Sequence, residues 1–462
     1  MKLKPIRSSF DLFLAIHFSF QLYGHFLLIF ICNHFQLQCS INPRSEFLIG
    51  FYLLILGQKI KKEGASFPVF VSILIEINYI LLIYHILPPF LYFLPSLFYV
   101  IFLLSLYIFQ RYEVPSKNSP YKVGYRKFVL DQFQDISKHV AVLYPTEETT
   151  QDVVWLPEEH ILFSSYQFNT FFNYFRSLAD FSLSFLHTLT LGVNLNSKIS
   201  DLSKTDFPNK ETYPVIIFSH GYGGSRHCYS IFTKWLASQG AIVFCTEHND
   251  GKKPDLQKRY EVVKAVLDFI YDPNKVEELF EAPIKINYEK VSVAGHSMGG
   301  GTALYSAIFE KRITGGVLAL DPFVVLISDQ LLNLEWSIPT LSICTERFNQ
   351  ALVHFKNHEK IENLYKKNKS KDKSMLCYLQ NSSHFQQGDL VCLAPRLLKL
   401  IKVIDRKGDV GEQLEFNLKL LEFFFEDVII HNKTIEFVKE KFWTHIKESM
   451  KIEDKKSLRI VV

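Results

Sequence analysis

Residues 291–301 read Val-Ser-Val-Ala-Gly-His-Ser-Met-Gly-Gly-Gly and centre a Gly-x-Ser-x-Gly signature on Ser297. The first four residues are apolar enough to form a buried strand, and the flanking glycines allow a sharp turn into a helix. Such a turn exposes the serine hydroxyl at the edge of a parallel sheet, where a histidine can reach it. The stretch therefore predicts an α/β fold with Ser297 as a nucleophile. A bare signature of this kind also occurs as an ordinary turn.

A serine nucleophile needs a base and a carboxylate that orients the base, and in this fold class they follow the serine in the order Asp, then His. Asp321 ends the apolar run 314–320, although an Asp before proline is by itself more typical of a turn or a helix cap. His384 lies in a polar loop just after the apolar run 375–379. His354 and His358 also follow Asp321, but no strand-like run precedes them. The order predicts a triad of Ser297, Asp321 and His384.

The segment upstream of the serine predicts an oxyanion site. Residues 213–218 read as a buried strand, and His-Gly-Tyr-Gly follows at 220–223. Backbone N–H groups of such a turn stabilise a tetrahedral oxyanion, and the residue after the nucleophile usually supplies another. We therefore expect Tyr222 and Met298 to be the donors, the alternative being an ordinary turn. Glu247 and His248 follow another strand but precede Ser297, so they are interpreted as a structural loop.

These segments together resemble the platelet-activating factor acetylhydrolases of the plasma and intracellular type II group. The similarity covers roughly residues 138–425 and is carried by Tyr-Pro at 144–145, Trp-Leu-Pro at 155–157, and the stretches 213–221, 241–250, 295–300, 318–321 and 383–385. The resemblance implies an α/β-hydrolase fold: a mostly parallel sheet with helices on both faces. It also implies an esterase that removes the short or oxidised sn-2 acyl group of glycerophospholipids through an acyl-enzyme, with no metal and no other cofactor. Met298 stands where an aromatic residue is common in that family.

Other functions remain open at this stage. A different lipase or an acyltransferase would use the same triad, and an inactive scaffold would keep the fold without turnover. The complete Ser–Asp–His set argues against the scaffold. A formal net charge of only +4 gives no reason to expect nucleic acid as a partner. The 7 cysteines form no close pairs, which argues against a disulfide framework and a zinc site.

The composition changes sharply near residue 111. Before it, four apolar stretches (12–32, 47–56, 67–87 and 90–109) predict an all-α transmembrane region of three to four spans over residues 1–110. The lysines and arginines around them place the basic clusters on one side if there are four spans, which predicts a multi-pass membrane protein with a cytoplasmic catalytic domain. Glu76 in the third stretch is either a functional residue of the span or a structural one.

The remainder of the chain is predicted to divide into a polar linker (111–137), a catalytic domain (138–430) and a charged helical tail (431–462). A Phe-rich stretch at 161–191 has helical spacing and is either a face buried on the core or a lid over an acyl chain. The basic segment 366–373 is either a solvated loop or a contact with lipid head groups. The expected partner is a phospholipid substrate at a membrane surface.

Overall fold

The computed structural model describes most of the chain from residue 119 onwards. The described ranges are 119–155, 189–250, 254–393, 395–400, 402–404, 410–449 and 458–461, together with short helical stretches between residues 14 and 104. The predicted Phe-rich face or lid at 161–191 lies almost entirely outside these residues, as do large parts of the four predicted spans.

The described strands form one mixed sheet. They are β1 (Lys122–Val129), β2 (His139–Thr146), β3 (Asn194–Leu195), β4 (Tyr213–Ser219), β5 (Ile242–Thr246), β6 (Ile286–His296), β7 (Val317–Leu320), β8 (Thr340–Thr345), β9 (Met375–Leu379) and β10 (Leu458–Val461). Their spatial order is β10-β9-β8-β7-β6-β4-β5-β2-β1-β3. The central strands from β5 to β9 run parallel, so their carboxyl ends meet along one edge, while β2 and β10 are antiparallel to their neighbours. The α/β class is as predicted.

The central strands are buried because they are almost entirely apolar. Every residue of β4, β5, β7 and β8 is buried, as a strand covered by helices requires. The described helices are α1 (Ser230–Ser238), α2 (Leu256–Ile270), α3 (Pro273–Phe280), α4 (Met298–Phe309), α5 (Asp329–Leu332), α6 (Glu346–Ala351), α7 (Asn357–Lys367), α8 (Leu390–Leu393), α9 (Pro395–Leu400), α10 (Val410–Phe423) and α11 (Ile435–Ser449), with a π-helix at Phe424–Ile430. Of these, α1 packs on β2 and β5, and α4 packs on β6 and β7 and against α2.

The predicted linker contains a strand, which corrects that boundary. β1 pairs antiparallel with β2, and Val123 and Tyr125 point into the core. The charged residues interleaved with these apolar ones made the segment look like a polar linker. One of them, Arg126, is itself buried and donates hydrogen bonds to the Leu279 carbonyl at 2.7 Å and to Glu281 at 3.1 Å. The tail likewise contains a strand, since β10 extends the sheet beyond β9. The remaining domain limits stay predictions.

The predicted multi-pass membrane region is corrected by the structure. Among the described residues, no helix has both the length and the apolar character that crossing a bilayer requires. A span needs about 20 consecutive apolar residues. The longest described helices, α2 and α11, have 15 residues each, and both carry several charged side chains. The transmembrane prediction rests on the length and composition of the apolar stretches and on the lysines and arginines around them.

Candidate active site

Ser297 lies at the sharp turn between β6 and α4, at the carboxyl edge of the sheet. Its backbone has φ 58° and ψ −121°, a left-handed conformation that is strained for a residue with a side chain. The turn closes tightly on the end of β4, because a Cβ on Gly299 would collide with the Ser219 carbonyl and one on Gly295 would collide with Gly299. Only glycine fits at both flanking positions, and the serine side chain is therefore pushed outwards, where it is partly exposed.

The structure brings the three predicted triad residues together. His384 Nε2 lies 2.8 Å from Ser297 Oγ, and His384 Nδ1 lies 3.0 Å from Asp321 Oδ2. The His384 side chain is 19% exposed, and the Asp321 side chain behind it is 0% exposed. A serine, an imidazole and a buried carboxylate in this order can move a proton from the hydroxyl to the ring. His354 lies in a short exposed turn, and His358 lies in α7.

Asp321 is fixed by the neighbouring strand. It follows β7 and has φ 43°, and its own N–H donates to the Ile343 carbonyl of β8 at 2.8 Å. Thr345, at the end of β8, donates from its backbone N–H to Oδ1 and from its hydroxyl to Oδ2, both at 2.5 Å. With His384, the carboxylate thus has three donors, and its two oxygens have distinct partners.

The ring of His384 is held by an aromatic face as well as by hydrogen bonds. Phe348, from α6, stacks on it with ring centroids 3.8 Å apart and planes inclined by only 7°. The loop carrying the histidine is closed by Ser383, whose backbone N–H and hydroxyl both donate to Gln386 Oε1 at 2.6 Å. The imidazole therefore has little freedom to turn away from Ser297.

The predicted oxyanion turn lies next to the nucleophile. A Cβ placed on Gly221 would be 3.3 Å from Ser297 Cβ, so Tyr222 follows a residue that touches the elbow. Met298 begins α4, where backbone N–H groups have no partner within the helix. The structure thus places both predicted donors, Tyr222 and Met298, in segments that border Ser297. Their role as oxyanion donors stays a prediction.

A buried arginine that sequence reasoning missed holds the oxyanion turn. Arg259 of α2 donates from Nη1 to the His220 carbonyl at 2.5 Å, and from Nε and Nη2 to the two oxygens of Asp250 at 2.7 Å each. Asp250 in turn accepts the Gly223 N–H at 3.1 Å. The guanidinium is therefore tied to both sides of Tyr222. Its signal in the sequence was weak, because an arginine in an amphipathic helix is normally solvent-exposed.

Glu247 and His248 make contacts that favour the structural interpretation. Glu247 is fully buried between His220 Nε2 at 2.9 Å and Arg226 Nη1 at 3.1 Å. His248 Nε2 lies 2.8 Å from Ser219 Oγ. Burial, with Arg259 nearby, lowers the pKa of His248 well below its ordinary value, so this imidazole is neutral. Both residues pack under the oxyanion turn.

One group of residues has the composition of a metal site. Donor atoms of His296, Asp321 and His384 lie within 4.8 Å of one another. Each of these side chains already has protein partners: Asp321 is bound by Thr345 and His384, His384 by Asp321 and Ser297, and His296 by Tyr229 and the His384 carbonyl. A cation would have to break the triad contacts to bind there, so the arrangement fits proton transfer better than metal ligation.

Three further contact residues were not predicted from the sequence. Thr345, Phe348 and Arg259 reach the site from β8, α6 and α2, which are neighbours of the triad in space but not along the chain. Only Thr345 had a usable signal, as a polar residue at the carboxyl end of an apolar strand.

Comparison with known families gives two partial matches. The family model described as platelet-activating factor acetylhydrolase, isoform II, matches residues 106–253. The chlorophyllase family model matches residues 202–327, which include Ser297 and Asp321. Neither match reaches His384.

Individual relatives extend the similarity over most of the chain. The platelet-activating factor acetylhydrolase of Cavia porcellus is 23% identical over 357 residues, which are 67% of this chain and 76% of the relative. The protein of the same name from Canis lupus familiaris is 25% identical over 356 residues, 66% and 74% of the two chains. Among solved structures, a ferulic acid esterase from Streptomyces cinnamoneus matches with a TM-score of 0.51 and 16% identity, over 69% of this chain and 92% of that one, a likeness of fold alone. The relatives support esterase or other hydrolase chemistry.

Proposed function

We propose that this protein is a serine esterase of the platelet-activating factor acetylhydrolase family, acting on the sn-2 acyl group of glycerophospholipids. The observation that carries the proposal is the line of contacts from Ser297 Oγ through both nitrogens of His384 to Asp321, at 2.8 and 3.0 Å. The similarity to acetylhydrolases over two thirds of the chain supports it.

In the acylation step, His384 Nε2 takes the proton of the Ser297 hydroxyl as Oγ attacks the ester carbonyl carbon. The carbonyl oxygen becomes an oxyanion that accepts hydrogen bonds from the N–H groups of Tyr222 and Met298. Asp321 stabilises the imidazolium that forms. Because Thr345 supplies two donors to the carboxylate, Asp321 remains an acceptor for the proton on His384 Nδ1.

In the second half of the reaction, the tetrahedral intermediate collapses and the lysophospholipid alkoxide leaves with the proton from His384 Nε2. A water molecule then gives a proton to the same nitrogen and attacks the acyl-enzyme, and a second collapse returns that proton to Ser297 Oγ. Every proton moves between the imidazole and a reacting oxygen, so this chemistry calls for no metal or other cofactor.

Exposed aromatic side chains beside the triad support a lipid ester as the substrate. Tyr222 in the oxyanion turn is 40% exposed, and Phe385, next to His384, is 46% exposed. Apolar rings at the mouth of a site favour substrates that carry hydrocarbon, such as phospholipids presented at a membrane surface. The Phe385 ring is in edge contact with His384, with centroids 5.6 Å apart, so an apolar surface lies beside the proposed base.

The decisive experiment combines active-site labelling with substrate comparison. A fluorophosphonate probe should label the full-length protein, and Ser297→Ala should abolish both labelling and turnover while the circular dichroism spectrum is unchanged. Phosphatidylcholines with sn-2 chains of graded length should be hydrolysed fastest when that chain is short or oxidised. Equal rates at all lengths would indicate a general lipase, acyl transfer to an added alcohol in preference to water would indicate an acyltransferase, and no labelling would indicate an inactive scaffold.

A further inference from the structure

The hydroxyl of Tyr229 joins the oxyanion turn to the residue that precedes the nucleophile. Tyr229 comes just before α1, and its Oη lies 3.2 Å from the Gly221 nitrogen and 2.7 Å from His296 Nδ1. The other nitrogen of that imidazole, His296 Nε2, lies 3.1 Å from the His384 carbonyl oxygen. Three hydrogen bonds thus run in series from the oxyanion turn to the backbone of the proposed catalytic base.

The two ends of this series fix the direction of the two outer bonds. The Gly221 N–H can only donate, so Tyr229 Oη accepts from it. The His384 carbonyl can only accept, so His296 Nε2 carries a proton and donates. Because desolvation lowers the pKa of His296 well below its ordinary value, Nδ1 carries no proton and accepts the hydrogen bond of the Tyr229 hydroxyl. His296 is therefore a neutral imidazole in the Nε2–H tautomer.

Burial makes this arrangement hard to replace. Tyr229 is 8% exposed and His296 is 4% exposed, so a polar atom that loses its partner here does not gain water in exchange. Desolvation, with His384 close by, lowers the pKa of His296 well below its ordinary value, and burial raises the pKa of the Tyr229 phenol. Near neutral pH the Tyr229 hydroxyl therefore stays protonated and the His296 imidazole stays neutral.

Packing as well as hydrogen bonding makes the oxyanion turn depend on this pair. A Cβ on Gly221 would lie 2.7 Å from Tyr229 Oη and 3.2 Å from His296 Nδ1. The His296 ring also lies beside that of His384, with centroids 4.3 Å apart. During turnover His384 becomes positively charged, and because His296 is neutral, no charge repulsion arises between the two rings.

We infer that Tyr229 and His296 are positioning residues that keep the oxyanion turn and the loop of His384 in register with Ser297, an inference that rests on the proposed esterase function. His296 immediately precedes Ser297 at the end of β6, so the strand that carries the nucleophile also sets the positions of its two partners. Neither side chain touches the substrate in this role. Loss of either side chain would shift the Tyr222 N–H and His384 out of position.

The test compares Tyr229→Phe with Tyr144→Phe in the full-length chain. Each change removes one buried hydroxyl, and Tyr144 donates to the Ser197 carbonyl at 2.7 Å in β2, away from the site. On a water-soluble short-chain ester, Tyr229→Phe should lower kcat by about 10- to 100-fold with KM changed less than about 3-fold, since transition-state contacts are lost rather than uniform binding. Tyr144→Phe should lower stability in denaturant titration and leave kcat within about 2-fold.

A second pair of variants tests the imidazole. His296→Gln can present an amide N–H near the position of Nε2 and should retain more activity than His296→Leu, which removes both bonds. Adding Tyr229→Phe to His296→Leu should cost little further, because the residues act as one unit. The inference is overturned if Tyr229→Phe keeps kcat within about 2-fold, if Tyr144→Phe loses as much, or if the Gln and Leu variants are equal.

Labelling separates this inference from the proposed function. If the wild type reacts with a fluorophosphonate at Ser297 but Tyr229→Phe reacts equally fast, the inference alone fails. If the wild type does not react at Ser297, both the proposed function and the inference that rests on it fail. Slower labelling of Tyr229→Phe, with wild-type labelling intact, is the result we expect.

Discussion

Phe348 lies flat against His384, with ring centroids 3.8 Å apart and planes inclined by 7°. The phenyl ring comes from α6, which begins directly after Thr345, so β8 and its following helix supply both the donors to Asp321 and the surface that supports the imidazole. Hydrogen bonds fix the two nitrogens of His384, and the stack fixes the plane of the ring. The proposed base is therefore restrained in the rotations that would break its contact with Ser297.

Replacing Phe348 should loosen that plane. Phe348→Leu keeps an apolar side chain but removes the flat surface, and we expect kcat to fall by roughly 3- to 10-fold with little change in KM, since orientation of the base is lost and binding is not. Steady-state kinetics on a soluble ester measure this. Phe309→Leu, a change of the same type at the far end of α4, should leave kcat unaltered, and a similar loss there would contradict the assignment.

Asp321→Asn should lower kcat strongly, although it only replaces one carboxylate oxygen by an NH₂ group. The Thr345 N–H faces Oδ1, so the new amide must place its carbonyl oxygen there and turn its NH₂ towards His384 Nδ1. That nitrogen must then accept, which moves the ring proton to Nε2 and prevents it from taking the proton of Ser297. We expect kcat to fall by roughly 10³- to 10⁴-fold with the fold intact. Activity within 10-fold of wild type would mean that Asp321 is not the orienting carboxylate.

The ion pair between Arg259 and Asp250 should matter for stability as well as for turnover. Arg259→Met leaves a buried carboxylate without its partner, which typically costs about 3–5 kcal/mol, and it releases the His220 carbonyl. Denaturant titration should show the loss, and Asp250→Leu added to it should restore part of the stability. Lys285→Met breaks an exposed pair with Glu211 and should change the free energy of unfolding by less than about 1 kcal/mol. If Arg259→Met and Lys285→Met lowered the free energy of unfolding equally, the buried pair would be no more important than the exposed one, contrary to this prediction.

Glu426, in the π-helix, gives a pH-dependent prediction. Burial raises its pKa to about 7, with Glu422 adding to the shift. Between about pH 4.5 and 7 the folded protein keeps a proton that the unfolded chain releases, so this residue lowers stability as pH rises through that window. Glu426→Gln should therefore raise Tm at pH 8 and have little effect at pH 5. Glu440→Gln, at an exposed position of α11, should give the same small change at both pH values.

The contacts among Ser297, Asp321 and His384 could be predicted from local order, and the catalytic roles of these residues stay predictions. Gly295, Ser297 and Gly299 lie within five residues of one another and specify the elbow by steric rules alone, and the chain order of Asp321 and His384 follows from the direction of the parallel strands. Thr345, Phe348, Arg259 and Tyr229 could not be found in this way, because their roles arise from contacts between elements that are distant in the chain. Thr345 has only the weak signal of a polar residue at the end of an apolar strand, and the residue types of the other three are common in core and helix positions.

The errors have a physical origin too. β1 is not predicted because Lys122, Arg126 and Lys127 lie among its apolar residues, and a buried Arg126 looks the same in the sequence as an exposed one. The transmembrane prediction relies on the length and apolar composition of four stretches in the first 110 residues and on the basic residues around them, and these do not by themselves show that a helix spans a bilayer. Tyr52 and Ile75, for instance, belong to a small buried cluster in that region.

The left-handed backbone at Ser297 and Asp321 makes thermal stability and turnover conflicting goals for protein engineering. Each non-glycine residue held in such a conformation costs on the order of 1–3 kcal/mol, so two of the three proposed triad positions lower the stability of the native state. Selection for thermal resistance alone will favour glycine at these positions, because it relaxes the backbone, and it would remove the proposed catalytic side chains. A screen for hardier variants of this protein should therefore select on turnover and heat tolerance together, or it will enrich for inert ones.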